Sequence, residues 1–411
     1  MRGYRYRLYP TRAQEAELMR LMDICCETYN AALEQRITWW RRHETILDSR
    51  GAWHPERGRD KMRSQTRQLQ EARKDLGIQI PAQLHNYVLV RLDRAFDAFR
   101  RRRREGKPGG FPRFCPRRRW RTLVFPSYGQ SHRWLPSEGR YDRVRLLGTG
   151  IGDIRVRTDR PLPNSADLGQ ATVTLAPTGR WEISILVRSA PREPLPETGR
   201  RVGINRGVRH LLATSDGRIV DGLGLRAAAA RELASAQRAL SRTQRGSKGR
   251  EKARRRLARA SARIAAERDR RLGELARELA SDYDEIVIEA FDVQTMLRRA
   301  DEVSPELANR ISEQGWSILE RRLRDRCERH GRILTVVDPA GISQTCPRCG
   351  AETPHSMGAK RFRCGTCSYE DDRDVAAAKI VLQRADDPEM VRERYGADEL
   401  TQDSSQEEVP A

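Results

Sequence analysis

Two cysteine pairs constrain this chain more than any other feature. Cys346-Pro-Arg-Cys349 and Cys364-Gly-Thr-Cys367 are separated by 14 residues. Each Cys-x-x-Cys turn aims two thiolates at a point about 2.3 Å away, and four thiolates close a tetrahedron that leaves no position open for chemistry. The intervening chain is therefore expected to fold back as a short ribbon around a structural zinc ion. A redox role for either pair would not explain why there are two. Cys25, Cys26, Cys115 and Cys327 have no such spacing and read as small buried or half-buried side chains. Disulfides are not expected in a chain of this length without secretory character.

Charge narrows the partner. The sequence carries 79 Lys and Arg against 57 Asp and Glu, a net charge of +22. Such an excess repels itself unless it meets a polyanion, so nucleic acid is the expected ligand, and a basic surface that binds nothing is the plainer alternative. Only seven of these cations are lysine. The rest are arginine, whose planar guanidinium forks onto phosphates and stacks on bases. No run of 18 apolar residues occurs and no apolar signal region opens the sequence, so a soluble cytoplasmic, nucleoid-associated protein is expected and membrane roles drop out.

Hydrophobic periodicity gives the organisation. Residues 3–9 alternate as a strand and end at Pro10, after which Thr11 caps a helix. From there to Leu47, apolar residues such as Leu18, Leu21, Met22, Cys25, Tyr29, Leu33 and Ile37 recur at three- and four-residue steps. Further helices are expected over roughly 57–76 and 81–104. The second of these ends in five arginines, Arg100 to Arg104, which suit either a solvated helix end or phosphate contact. Short strands follow at Phe111–Phe114, Thr122–Phe125, Val144–Leu147, Ile154–Arg157, Ala171–Leu175 and Trp181–Val187, as in a small barrel. Pro191 to Thr198 reads as a linker, and Asp216-Gly217 as a hairpin turn beyond the strand opened by Val202.

Residues 226–282 read as two basic helices around Gly246-Ser247-Lys248-Gly249, and Ile286 to Glu289 as a strand. Ser304-Pro305-Glu306 opens a helix closed by Gly331, with Trp316 expected to pack in its core rather than to stack on a base. A strand over 333–337 leads to the cysteine ribbon, and Asp374 starts a last helix. From Arg384 onward nine acids face three arginines, so residues 386–411 read as a disordered acidic tail that aids solubility.

Six ordered segments together resemble one family. They are Tyr6-Arg7-Leu8-Tyr9-Pro10-Thr11, Gly110-Phe111-Pro112-Arg113-Phe114, Gly203-Ile204-Asn205-Arg206-Gly207-Val208, Ile288-Glu289, Ser343-Gln344-Thr345-Cys346-Pro347-Arg348-Cys349-Gly350 and Asp372-Arg373-Asp374. Their order is similar to that of the transposon-encoded TnpB proteins, relatives of the miniature type V CRISPR effectors. The resemblance implies a multidomain α+β and α/β architecture. A wedge β-barrel would take residues 1–10 and 105–198, and a helical recognition domain residues 11–104. A RuvC-like domain of RNase H fold would take 199–342 and 371–385, including the helical hairpin 226–282, with a zinc ribbon over 343–370. It also implies guide RNA and target double-stranded DNA as partners, with base pairing supplying sequence specificity. Arg7, Arg101, Arg103 and Arg113 are the expected contacts to nucleic acid.

Family chemistry uses three carboxylates to hold two divalent metals, one activating water and the other stabilising the leaving oxygen. By resemblance those positions are Asn205, Glu289 and Asp374. Asparagine offers a neutral oxygen where a hard dication favours a carboxylate. Asp216 lies 11 residues from Asn205 and is better explained as a turn residue, so no replacement acid is visible. The family's asparagine after Asp-x in the third motif is also changed, to Ala376. The sequence thus points to an RNA-guided DNA-binding protein with a degenerate RuvC site, acting by target occupancy, with magnesium required only if the site is active. An active RNA-guided endonuclease is the alternative, and a guide-independent zinc-ribbon protein a more distant one.

Overall fold

The computed structural model describes residues 2–43, 46–48, 51–54, 58–60, 64–108, 110–162, 167–188, 194–354 and 359–396. The chain divides into two compact units, Met1–Ser189 and Ala190–Ala411.

The first unit contains, in order, β1 (Arg2–Tyr9), α1 (Arg12–His43), β2 (Ile46–Asp48), β3 (Gly51–His54), β4 (Gly58–Asp60), α2 (Gln65–Asp75) and α3 (Ala82–Arg104). Then come β5 (Thr122–Phe125), β6 (His132–Leu135), β7 (Tyr141–Leu146), β8 (Asp153–Arg157), β9 (Leu168–Leu175) and β10 (Trp181–Val187). Seven of its strands form one antiparallel sheet in the order β5-β9-β10-β1-β8-β7-β6. Period-two alternation builds its inner face: in β7, Asp142, Val144 and Leu146 are buried while Arg143 and Arg145 face solvent. Helix α1 opens on a reciprocal cap in which the Gln14 N–H donates to Thr11 Oγ1 and the Thr11 N–H to Gln14 Oε1. Its stripe of Leu18, Leu21, Met22, Cys25 and Leu33 shares a core with Leu84, Val88, Leu89 and Leu92 of α3 and with the inner face of the sheet.

Three sequence expectations change here. The first helix stops at His43 and Leu47 belongs to β2, paired with Ala52 of β3. The helix expected from residue 57 begins at Gln65, because Gly58 to Asp60 pair with β3 instead. Phe111–Phe114 form no strand: Pro112 has no N–H for a ladder, and Phe111 instead packs edge-on against Phe96 and Phe99, ring centroids 5.3 and 5.4 Å away.

The second unit holds β11 (Arg201–Arg206), β12 (His210–Thr214), β13 (Ile219–Asp221), α4 (Leu225–Ala228), α5 (Ala230–Ser241), α6 (Lys248–Asp282) and β14 (Glu285–Glu289). It continues through α7 (Val293–Val303), α8 (Pro305–Gln314), α9 (Trp316–His330), β15 (Ile333–Val337), β16 (Arg361–Arg363), β17 (Glu370–Asp372), α10 (Arg373–Gln383) and β18 (Val391–Tyr395). A six-stranded mixed sheet runs β13-β12-β11-β14-β15-β18, with β11, β14 and β15 parallel. Trp316 is buried, donates its indole N–H to the Leu211 carbonyl at 3.2 Å and meets Phe291 edge-on, in keeping with packing. Among the described residues no helix is long and apolar enough to cross a membrane.

Two more expectations are corrected in this unit. The single helix from Ser304 to Gly331 is broken at Gly315, which takes a left-handed φ of 72° where a Cβ would stand 2.9 Å from Leu272 Cδ1. The acidic tail is in part structural: Val391–Tyr395 pairs with β15, Thr335 opposite Arg394, so apolar and aromatic residues at 391 and 395 outweigh the polar composition around them. Residues 397–411 of that expected tail lie outside the described residues.

Candidate active site and zinc centre

Strands β11 and β14 run parallel in the register Val202↔Ile286 to Ile204↔Ile288, so Asn205 and Glu289 emerge together at their C-terminal ends. Helix α10 lies across β11 because residue 203 has no side chain. A Cβ there would stand 2.2 Å from the Ala378 carbonyl oxygen and 2.6 Å from the Leu382 nitrogen. That contact carries Asp374, in the first turn of α10, to the same end of the sheet, where its Oδ2 lies 3.9 Å from where a Cβ on Gly207 would be. Asp372 caps the helix, accepting the Asp374 N–H at 2.8 Å. The three expected positions thus converge. Open parallel sheets place their sites at these carboxyl ends.

Sequence reasoning missed what Glu289 touches. Its carboxylate Oε1 accepts the Arg206 backbone N–H at 3.3 Å and the Arg206 Nε–H at 3.2 Å. Arg206 Nη2 donates to the Glu289 carbonyl, and Nη1 to Glu320 Oε2 at 2.9 Å. The guanidinium also lies 4.8 Å from the Phe291 ring centroid. Both side chains are enclosed, Arg206 being 1% and Glu289 5% exposed. Burial pushes the Glu289 carboxyl up, against the pull of Arg206. The only sequence signal was a charged residue inside an apolar strand.

Asp216, set aside above as a turn residue, accepts hydrogen bonds from Thr214 and Tyr283 and pairs with Arg200, beside Gly217 at φ 95°. Ala376 is buried with Cys346, Phe362 and Cys364, joining α10 to the cysteine lobe.

The four cysteines do assemble. Their sulfurs all lie within 4.8 Å of one another, with Cys346–Cys367 and Cys349–Cys364 each at 3.6 Å. A regular tetrahedron with Zn–S of about 2.3 Å has edges of about 3.8 Å, so the donor set fits zinc. Each pair is followed by a left-handed residue, Gly350 at φ 75° and Ser368 at φ 57°, which turns the chain out of its knuckle. The N–H groups of Cys367 and Thr366 point at the Cys364 sulfur and hold its thiol down at about 6, favouring the thiolate a metal needs.

The other pocket is unlike the cysteine quartet in its charge, and Glu289 Oε2 is buried there with no protein partner. Of its three positions one is neutral and one has its charge matched by Arg206. Among the described residues, the cysteine quartet is the one group of three or more His, Cys, Asp or Glu gathered closely enough to hold an ion.

In the first unit, Arg7 is exposed on β1 with its guanidinium 4.6 Å from the Tyr9 ring centroid. Arg101 and Arg103 are exposed in the last turn of α3, and Arg113 is exposed on the segment that Phe111 anchors against that helix. Phe114, 51% exposed, lies on the same segment.

A mixed sheet with carboxyl-end acids, a helix laid across it and a four-cysteine lobe between β15 and α10 define a RuvC-like protein with an inserted zinc ribbon. Residues 184–300 match a family model described as a probable transposase, residues 316–381 a Cas12f1-like TNB domain and residues 1–45 a helix-turn-helix domain. In that last range the structure has a strand and one long helix. A putative RNA-guided DNA endonuclease of Streptomyces pristinaespiralis is 30% identical over 93% of this chain and 88% of its own length. A second, InsQ of Escherichia coli K12, is 24% identical over 93% and 92%. The protein in a Cas12f1–sgRNA–target DNA complex shares the fold at TM-score 0.52 and 12% identity, covering 91% of this chain and 82% of that one. The chain belongs to the TnpB family of putative RNA-guided DNA endonucleases, related to type V CRISPR effectors.

Proposed function

We propose that this protein is an RNA-guided DNA-binding protein that holds its target without cutting it. One observation carries the reading: Asn205 stands where the family's metal site needs an anion, beside a Glu289 already paired with Arg206. The rest of the architecture supports binding. A strongly basic surface suits guide RNA and an opened duplex, and such contacts give affinity that falls steeply with salt. Arg7, Arg101, Arg103 and Arg113, all exposed, are proposed phosphate contacts. Asn205, Glu289 and Asp374 are the remnant of the catalytic set, and Cys346, Cys349, Cys364 and Cys367 hold structural zinc. The biological outcome of such occupancy is repression of transcription or interference with an invading element. The protein then works in the cytoplasm on the nucleoid.

An active endonuclease is the second reading, favoured by the retained Glu289 and Asp374 and by the names of the relatives. The deciding experiment sequences the RNA that copurifies with the protein and then offers a matched duplex with Mg or Mn. A single dominant RNA, salt-sensitive target binding and intact strands are the expected result. Cut strands would overturn the proposal, and heterogeneous RNA fragments would overturn guiding itself.

A further inference from the structure

The Arg206 network is larger than a stray ion pair. Every nitrogen of the guanidinium is committed: Nε to the Glu289 side chain, Nη1 to Glu320 and Nη2 to the Glu289 carbonyl. Glu320 is approached in turn by Arg324 at 3.6 Å. The Phe291 ring lies against the guanidinium and completes the enclosure. A carboxylate this deeply buried is costly unless a counter-charge meets it, and removing one partner of such a pair is far more damaging than removing both. Glu289 Oε2 is buried with no protein partner, so the whole counter-charge for this acid comes through Oε1 and Arg206.

We propose that Arg206 is a resident cation of the RuvC pocket: its guanidinium supplies, from within the chain, the positive charge that would otherwise come to Glu289 from a divalent ion. The inference rests on the reading of the site as degenerate. Asn205 contributes to this economy of charge, since an acid there would add a second negative group to a pocket whose single guanidinium already faces Glu289 and Glu320. The guanidinium is thus a positioning and neutralising group. It holds Glu289 in place and removes the pocket's need for a dication.

The test uses the full-length zinc-loaded protein, thermal melts and the electron paramagnetic resonance of added Mn²⁺. Wild-type protein is expected to shift its melting temperature by less than about 1 °C in millimolar Mn²⁺, because an ion that does not bind the folded state cannot stabilise it. Arg206→Met, which keeps most of the stem and removes the charge, should lower the melting temperature by roughly 10 °C. In that variant Mn²⁺ should bind and restore several degrees. The double variant Arg206→Met with Glu289→Gln should recover most of the loss and ignore Mn²⁺, and Arg206→Lys should stay insensitive to the ion.

Equal destabilisation of the single and double variants would overturn the proposal, since Arg206 would then be packing alone. So would a wild-type Mn²⁺ response as large as that of Arg206→Met and abolished by Glu289→Gln. If Arg206→Met does not accumulate folded, recovery of folded protein in the double variant supports the proposal and lack of recovery counts against it. Cleavage by the wild-type protein would defeat the occupancy reading but leave this charge coupling intact, so the two fail separately.

Discussion

The cysteine lobe and the pocket at the ends of β11 and β14 share one helix yet treat charge in opposite ways. Through Ala376, α10 packs on the lobe; through Asp374, it reaches the pocket. In the lobe, four sulfurs sit within 4.8 Å of one another, an arrangement that cannot carry thiolate charge without a metal. In the pocket, position 205 is a neutral asparagine and Glu289 is paired with Arg206. The donor set that suits a fold-holding metal is thus complete, whereas under the proposed reading the site for a metal that only performs chemistry lacks a ligand and is neutralised from inside the chain. Loss of the first would unfold a segment. Loss of the second costs activity alone.

The largest effect should come from breaking the lobe. Cys364→Ser is expected to reduce zinc from about one ion per chain to almost none and to open residues around the ribbon to protease. Elemental analysis and limited digestion read both, and retained stoichiometric zinc would mean that the two centres are not so different. Next is Gly203→Ala, which forces a methyl into the Ala378 carbonyl and the Leu382 amide and so separates α10 from β11. The expected loss is about 3 kcal/mol or more in urea unfolding, and a negligible loss would show that the shared helix is not seated as described.

Acid provides an internal reference from the first unit. Burial pushes the His132 imidazole down to about 4, from an ordinary 6.5. The unfolded chain binds that proton first, so stability is complete above pH 6.5 and falls as pH drops toward 4, by about 3 kcal/mol at most. In His132→Gln this slope should vanish from stability-versus-pH curves, and any acid sensitivity left over belongs to other groups such as the thiolates. An unchanged slope would remove His132 from the account. The smallest effect is expected from Asn205→Asp. Because Glu289 stays paired with Arg206 and Ala376 is unchanged, cleavage of a guided target should rise only to a trace in a gel assay. Strong cutting would identify Asn205 as the whole difference between the two centres.

Much of the site was legible beforehand, and the reasons differ by residue. Cysteine spacing is a local property, so the quartet could be read without knowing the fold. The convergence of residues 205, 289 and 374 was implied by motif order, and the geometry of β11, β14 and α10 does bring them to one end of the sheet. Arg206 was passed over because alternation along a strand says which face a residue takes, not which distant acid waits there; Glu289 and Glu320 come from other elements. The break at Gly315 and the pairing of Val391–Tyr395 escaped for a similar reason. Each depends on a partner remote in sequence, Leu272 for one and β15 for the other.

The sequence by itself determined the basic character, the cysteine tetrad and the neutral asparagine at position 205, because composition, short spacing and residue identity need no neighbour. Only the tertiary structure decided which charges meet at the ends of β11 and β14. Whether a buried carboxylate is paired depends on side chains brought together across about 80 to 115 positions of sequence, and that proximity exists only once the sheet and its helices have packed.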